Sequence, residues 1–177
     1  MSAQVREVTR NSRTAKGLVH KTKNNLDEKT RKASVEVLNA RLAAGIDLAL
    51  AVKQAHWNLR GMNFIAVHEL LDEIRAEVDA GNDLMAERAA QLGGYALGTT
   101  QVVAESTDLK PYPTDIVTVE DHLEALIERL GDVANAVRES IDTTDEAGDA
   151  DTADILTEVS RVLDKNLWFL ESHVILK

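Results

Sequence analysis

Residues 53–72 read KQAHWNLRGMNFIAVHELLD and contain two helical patterns separated by a glycine. On both sides of Gly61, apolar residues recur at steps of three and four, which places them on one face of an α-helix. Gly61 itself is a typical helix stop. The stretch therefore predicts a hairpin of two long helices, spanning about residues 28–60 and 63–93. The apolar positions are Val35, Leu38, Leu42, Ile46 and Ala49 in the first helix, and Phe64, Val67, Leu71, Ile74 and Val78 in the second.

A second pair of helices follows after a long connection. Thr118, with Asp121 three residues later, predicts the start of the third long helix, and the fourth is expected to begin near Asp151. The connection contains two prolines and a candidate short helix over residues 99–105. Two hairpins joined by a long crossover form the ferritin-like four-helix bundle, so the expected fold is all-α. The inward positions are Leu123, Leu126, Leu130, Val133, Val137 and Ile141, then Ile155, Val159, Val162, Asn166 and Leu170.

Composition narrows the class of protein further. The 177 residues correspond to one ordinary domain, and the absence of cysteine excludes disulfides, zinc–thiolate sites and thiol catalysis. Aromatic residues make up only 3% of the chain and there are only two prolines, which favours long helices over a β-sandwich. No apolar run approaches the roughly 18 residues that a membrane span needs. We expect a cytoplasmic protein without a membrane partner.

Charge is distributed unevenly along the chain. The whole sequence has a net charge of −10, yet residues 1–35 hold nine basic and three acidic residues, a net +6 that leaves −16 for the remainder. The segment before residue 28 is also poor in large apolar residues. This pattern predicts a mobile basic arm over residues 1–27 attached to an acidic bundle domain over residues 28–177. The plain alternative is a solvated tail that only improves solubility.

Five side chains of the first hairpin have the chemistry of metal ligands: His56, His68, Asp72, Asp83 and Glu87. The four on the second helix fall within a stripe about 100° wide, and a turn near residue 62 brings position 56 opposite position 68. His56, His68 and Asp72 can therefore converge. Asp83 lies eleven residues beyond Asp72, roughly 16 Å along the helix, which is too far for one metal centre within one chain.

Two-fold symmetry removes this difficulty. His68 and Glu87 are equidistant from the midpoint between residues 77 and 78, and so are Asp72 and Asp83. Two antiparallel copies of the second helix would therefore build two identical sites, each completed by Asp83 and Glu87 of the partner subunit. Two imidazoles and three carboxylates suit Fe(II), Mn(II) or Zn(II) better than Ca²⁺ or Mg²⁺. The competing interpretation is that each His–acid pair simply lies on a solvated helix face.

Several motifs of this sequence resemble the Dps family of mini-ferritins over about residues 30–175. They are the segments 53–61 and 64–72, which include His56-Trp57-Asn58, then 83–88 with Ala86-Glu87-Arg88, 91–94 and 164–169. The resemblance implies a twelve-subunit hollow shell that oxidises Fe(II), preferentially with hydrogen peroxide, and stores the ferric mineral. It also implies ferroxidase ligands at the five positions identified above, with no substitution. The sequence contains no Glu-x-x-His, the pair used by large ferritins.

Further expectations concern individual residues. Trp57 could intercept radicals or pack in an interface, whereas Trp168 is expected in the core. Asp149, Asp151 and Asp154 resemble acidic three-fold pores that attract Fe(II), although a helix cap with acidic first-turn residues explains two of them equally well. The other histidines are interpreted as ordinary polar residues; they are His20, His122 and His173.

Association with double-stranded DNA is the other expectation, and it rests on the basic arm. Many arms on one particle would multiply weak phosphate contacts, which should make the protein nucleoid-associated and its DNA binding steeply dependent on salt. The acidic body opposes this binding. An alternative function is a non-enzymatic nucleoid protein whose metal site does not turn over. The arm residues expected to contact DNA are Arg6, Arg10, Arg13, Lys16, Lys21 and Lys23.

Overall fold

The computed structural model describes residues 20–174, and over this range the chain forms five helices and no strand. No helix in that range combines the length and apolar character that a membrane span requires. The predicted all-α ferritin-like bundle with a short crossover helix is confirmed. The helices are α1 (Glu28–Asn58), α2 (Phe64–Gln91), α3 (Thr100–Ser106), α4 (Val119–Glu146) and α5 (Ala150–Glu171).

Local capping explains where the long helices begin. The Thr118 side chain accepts a hydrogen bond from the backbone N–H of Asp121 and caps α4, as the sequence predicted. α5 starts slightly earlier than predicted, because Asp149 caps it. Asn63 precedes α2 in a left-handed conformation with φ of 62°, which asparagine tolerates better than most residues.

The crossover returns the chain to the end of the bundle where α1 stops. There the Arg60 N–H donates to the Val117 carbonyl at 2.9 Å, and the Val119 N–H donates to the Arg60 carbonyl at 3.0 Å. These bonds fix the start of α4 beside the turn between α1 and α2. α1 and α4 therefore run antiparallel as neighbours, and α3 packs against α1.

The core follows the predicted apolar stripes, with two exceptions. Leu170 and Asn166 are buried on the inner face of α5, but Trp168, predicted to be in the core, is 62% exposed. The prediction rested on the apolar character of Trp168 alone. Trp168 lies two residues from Leu170 and therefore about 160° away around the helix, on the side opposite the core. Phe64 at the start of α2 is also exposed.

Part of the predicted arm contacts the bundle. The backbone N–H of His20 donates to the Gly93 carbonyl at 3.0 Å, its ring meets Tyr95 edge-on, and Leu26 packs against the core. Residues 20–27 thus follow a defined course along the bundle, and α1 begins at residue 28. Two of the candidate DNA-contact residues, Lys21 and Lys23, are exposed. The other four lie outside the described residues: Arg6, Arg10, Arg13 and Lys16.

Candidate metal centre

The two imidazoles of His56 and His68 are held together by reciprocal hydrogen bonds. Nδ1 of each ring lies 2.9 Å from the backbone carbonyl of the other residue, and the rings stack with centroids 3.6 Å apart. The His56 carbonyl is available because it lies in the last turn of α1, where helical carbonyls have no partner within the helix. A carbonyl only accepts, so each Nδ1 carries a proton and Nε2 of each ring is the atom that remains to bind a metal.

Asp72 completes a cluster of three predicted ligands. Its Oδ1 lies 3.5 Å from Nδ1 of His56 and accepts a hydrogen bond from the ammonium group of Lys53. The Lys53 hydrogen bond, supported by the neighbouring imidazoles, holds the pKa of the Asp72 carboxyl below its usual value. The carboxylate is therefore ionised and faces solvent on the outer side of α2. The sequence interpretation had assigned no role to Lys53, although it lies three residues before His56 and so on the same side of α1.

Asp83 and Glu87 are exposed farther along α2 and are not brought to the imidazoles within one chain. Eleven residues of helix separate Asp72 from Asp83, roughly 16 Å. Among residues 20–174 of a single chain, no group of three or more metal-ligating side chains is arranged to hold an ion. One chain therefore presents a cluster of three candidate ligands and, separately, a pair of carboxylates.

The surface that carries these ligands is unusually apolar. Ile65 lies seven residues before Asp72, about 20° away around α2, and Leu84 lies three residues before Glu87, about 60° away, so each projects on the side of a candidate ligand. Contiguous exposed apolar surface is typical of protein interfaces. We call this surface the hairpin face; its large exposed side chains are Leu50, Trp57, Met62, Phe64, Ile65 and Leu84.

The three predicted pore aspartates differ in exposure. Asp149 is buried, and its Oδ1 accepts a hydrogen bond from the buried Arg88 guanidinium at 2.6 Å. Burial alone would raise the pKa of Asp149, but hydrogen bonds from Thr152 and Arg88 outweigh it and hold the pKa below its usual value. Asp149 is thus engaged within the chain. Asp151 and Asp154 are exposed at the start of α5, with Asp151 Oδ2 3.7 Å from the Arg88 guanidinium, so of the three these two present carboxylates to solvent.

His122 is not the ordinary polar residue that the sequence suggested. Its side chain is only 1% exposed, and its Nδ1 lies 2.7 Å from the hydroxyl of Tyr112. The signal was available, because His122 falls one position before Leu123 in the first turn of α4 and four positions before Leu126 on the apolar stripe. Tyr112 carried no such signal because it lies in the crossover, outside any periodic segment.

Comparison with known proteins agrees with this architecture. The sequence model of the ferritin-like domain matches residues 35–176. A protein from Agrobacterium fabrum named DNA protection during starvation protein is 59% identical over 155 residues, covering 88% of this chain and 96% of the relative. DpsC from Streptomyces coelicolor has a TM-score of 0.86 and 33% identity, covering 91% of this chain and 94% of that one. Mycobacterium smegmatis Dps has a TM-score of 0.85 and 31% identity, covering 90% and 96%. With the helix order, the paired imidazoles and these matches in agreement, the chain belongs to the ferritin-like family and, within it, to the Dps proteins.

Proposed function

We propose that this protein is a ferroxidase that oxidises Fe(II), preferentially with hydrogen peroxide, and stores the ferric product inside a shell of twelve copies. The observation that carries the proposal is the reciprocal bonding of His56 and His68. It fixes both rings in the tautomer whose Nε2 can bind a metal, because each Nδ1–H donates to a backbone carbonyl. Asp72 adds an ionised carboxylate at the same place.

The proposed site is shared between two copies of the chain. A two-fold contact centred between residues 77 and 78 would bring Asp83 and Glu87 of the partner subunit to the imidazoles and to Asp72. Two features support this contact: one chain holds only part of the ligand set, and the hairpin face exposes large apolar side chains around it. Burial of that face would also surround the site with protein. Trp57 would then either pack in the interface or lie close enough to the site to intercept radicals formed there.

The proposed reaction balances two irons against one peroxide. Two Fe(II) ions each lose one electron, and hydrogen peroxide takes both together with two protons and leaves as two molecules of water. Fe(III) is a harder cation than Fe(II), so the product should move from imidazole to carboxylate and oxide ligands. Fe(II) would reach the interior through acidic pores, for which Asp151 and Asp154 are the exposed candidates.

An anaerobic peroxide pulse tests the ferroxidase proposal. Protein loaded with Fe(II) should form ferric species rapidly at about two irons per peroxide, with little hydroxyl radical in a spin trap. His68→Gln should lose this acceleration because it removes one of the two fixed imidazole ligands. His173→Gln is the matched control, since His173 is an exposed histidine bonded to its own helix at the Phe169 carbonyl. Oxidation no faster than in protein-free buffer would contradict the proposal.

Binding of double-stranded DNA is a second candidate function, favoured by the basic arm and by relatives named for DNA protection. Removing residues 1–19 leaves the contact between His20 and Gly93 in place, so the bundle should assemble normally. The truncated protein should lose salt-dependent retention of DNA and keep iron oxidation. If His68→Gln has no effect on iron while truncation abolishes DNA binding, the non-enzymatic nucleoid protein becomes the better account.

A further inference from the structure

Tyr112 and His122 form a hydrogen-bonded pair that the proposed ferroxidase site does not use. The Tyr112 hydroxyl lies 2.7 Å from Nδ1 of His122, and the two rings are nearly parallel with centroids 6.0 Å apart. His122 is buried, and Tyr112 packs against the core from the crossover. A phenol and an imidazole in such contact are the components of a site that can release an electron and a proton together.

The resting proton lies on the phenol. Burial raises the pKa of the Tyr112 hydroxyl well above its usual value. Burial also lowers the pKa of His122, in spite of opposing contributions from Asp121 and from the backbone at Ile116. Both groups are therefore neutral at rest, and in the tautomer with the imidazole proton on Nε2 the phenol donates the 2.7 Å hydrogen bond to Nδ1 of His122. An oxidised phenol is a far stronger acid than an imidazolium, so the same hydrogen bond would carry the proton to His122 when Tyr112 loses an electron.

Arg129 couples the two transfers. Its guanidinium lies 5.1 Å from the centroid of the Tyr112 ring and donates to the carbonyls of Pro111 and Ala125. These bonds hold the crossover segment that carries Tyr112 against α4. The positive charge above the ring also opposes any cationic form of the phenol. Loss of an electron from Tyr112 is thus favourable only when the phenolic proton leaves for His122.

The pair lies at the same height in the bundle as the proposed metal centre. Arg60 and Thr118 are paired at the end of the bundle, and α1 and α4 run antiparallel from that point. His56 precedes Arg60 by four residues and His122 follows Thr118 by four, so the two residues lie at similar levels below the pairing. Axes of packed neighbouring helices are about 8–10 Å apart, so an electron that passes between the two places crosses one helix–helix contact.

We infer that Tyr112 is an internal one-electron donor to the metal centre, with Nδ1 of His122 receiving its phenolic proton. The inference rests on the proposed function. If one Fe(II) at the centre gives one electron to hydrogen peroxide, the O–O bond breaks into hydroxide and hydroxyl radical. Tyr112 then gives the second electron, which reduces the radical to hydroxide, while His122 takes the proton. A second Fe(II) later returns the electron and His122 returns the proton, so the net stoichiometry remains two Fe(II) oxidised per peroxide.

Tyr95 provides the matched control, because it is the other tyrosine of the chain. It is 44% exposed, and its ring contacts His20 edge-on at 5.2 Å. In the variant Tyr95→Phe, every tyrosyl radical must come from Tyr112. The first experiment oxidises this variant without metal, using azide radicals from pulse radiolysis, and follows the phenoxyl absorbance. We expect a phenoxyl radical from Tyr112, and adding His122→Gln should slow its formation by roughly 100-fold because the positioned proton acceptor is lost.

The second experiment supplies one Fe(II) per expected site, adds hydrogen peroxide and freezes the sample for electron paramagnetic resonance. Tyr95→Phe should show a tyrosyl signal, and adding Tyr112→Phe should abolish it and increase hydroxyl-radical adducts in a spin trap. The absence of a phenoxyl radical with azide overturns the pair irrespective of iron chemistry. Rapid iron oxidation without any change in adducts in Tyr112→Phe overturns its role as donor. No iron oxidation in the unmodified protein overturns the proposed function as well, and the azide experiment still decides whether the pair is redox-active.

Discussion

The two hairpins of the bundle are built from helices of similar length but leave different surfaces exposed. α4 and α5 each have one apolar and one polar face, and within these two fully described helices Trp168 is the one large apolar side chain that is exposed. α1 and α2 are much less amphipathic, because large apolar residues lie on their outer side as well. The second hairpin therefore satisfies the usual pattern of a monomeric bundle, whereas the first is typical of a hairpin covered on both sides.

The polar groups differ in the same way. On the first hairpin the candidate ligands Asp72, Asp83 and Glu87 point outward, where they contribute little to folding. Directly after Glu87 on α2, Arg88 forms a buried pair with Asp149 that fixes the start of α5. The hairpin face thus carries residues whose chemistry is available to a partner or to a metal, and the α2–α5 contact carries residues that hold the bundle together.

The strongest test of this difference between the two hairpins is to place a charge on the hairpin face. Ile65→Glu should dissociate the proposed two-fold dimer, because each Ile65 would forfeit about 1.5–3 kcal/mol of burial and two occur per contact. We expect the dissociation constant to rise by roughly 10²–10⁴-fold, and peroxide-driven iron oxidation to fall with it. Sedimentation velocity and ferric absorbance measure the two effects.

Val117→Glu is the matched control for this change. Val117 is 52% exposed and Ile65 is 60% exposed, and both are β-branched, but Val117 precedes α4 and lies outside the hairpin face. This variant should assemble and oxidise iron normally. An Ile65→Glu protein that stays fully assembled and active would mean that the hairpin face is not the contact that completes the site.

How much of the structure can be predicted from the sequence differs between periodic and non-periodic segments. The positions of His56, His68 and Asp72 followed from helix geometry, which is set by the backbone and needs no knowledge of side-chain conformation. The Lys53–Asp72 contact did not, because a flexible four-carbon side chain can meet several carboxylates and its partner depends on the folded neighbourhood. Tyr112 was missed because crossover residues obey no period. Trp168 was misassigned because residue type was weighted above helical phase.

The next largest effect is expected at the buried pair. Asp149→Asn removes the buried charge partner of the Arg88 guanidinium and leaves only the exposed Asp151 carboxylate at 3.7 Å, so the free energy of unfolding should fall by about 3–5 kcal/mol. Asp164→Asn is the control, since Asp164 pairs with Arg138 on the surface and its loss should cost about 0–1 kcal/mol. Urea unfolding at one fixed protein concentration compares the variants. Equal losses in the two variants would show that burial does not distinguish these ion pairs.

Lowering the pH should weaken the Arg88–Asp149 pair and so reduce the stability of the unmodified protein. The pKa of Asp149 is lower in the folded chain than its unfolded value near 3.9, so the folded state binds fewer protons at this group. The stabilisation is therefore complete above about pH 4 and is lost as pH falls through the folded pKa. Stability measured between neutral pH and about pH 3 should fall less steeply in Asp149→Asn than in the unmodified protein. Parallel curves would assign the acid sensitivity to other carboxylates.

The smallest effect concerns two lysines that each bond to a carboxylate of α2, one from each hairpin. Lys53 reaches Asp72 within the proposed metal centre, and Lys165 reaches Glu77 away from it. The Lys53 ammonium group competes with a divalent cation for Asp72, and Lys53→Met removes this competing charge. The dissociation constant for Zn(II), a redox-inert probe, should therefore fall roughly threefold to tenfold. Lys165→Met should leave it unchanged, because its ammonium group neutralises a carboxylate that is not a ligand. Calorimetric titration measures both constants. Weaker Zn(II) binding in Lys53→Met would show instead that Lys53 orients Asp72 toward the metal. Lys53 would then stabilise the site in the way that Lys165 stabilises the α2–α5 contact.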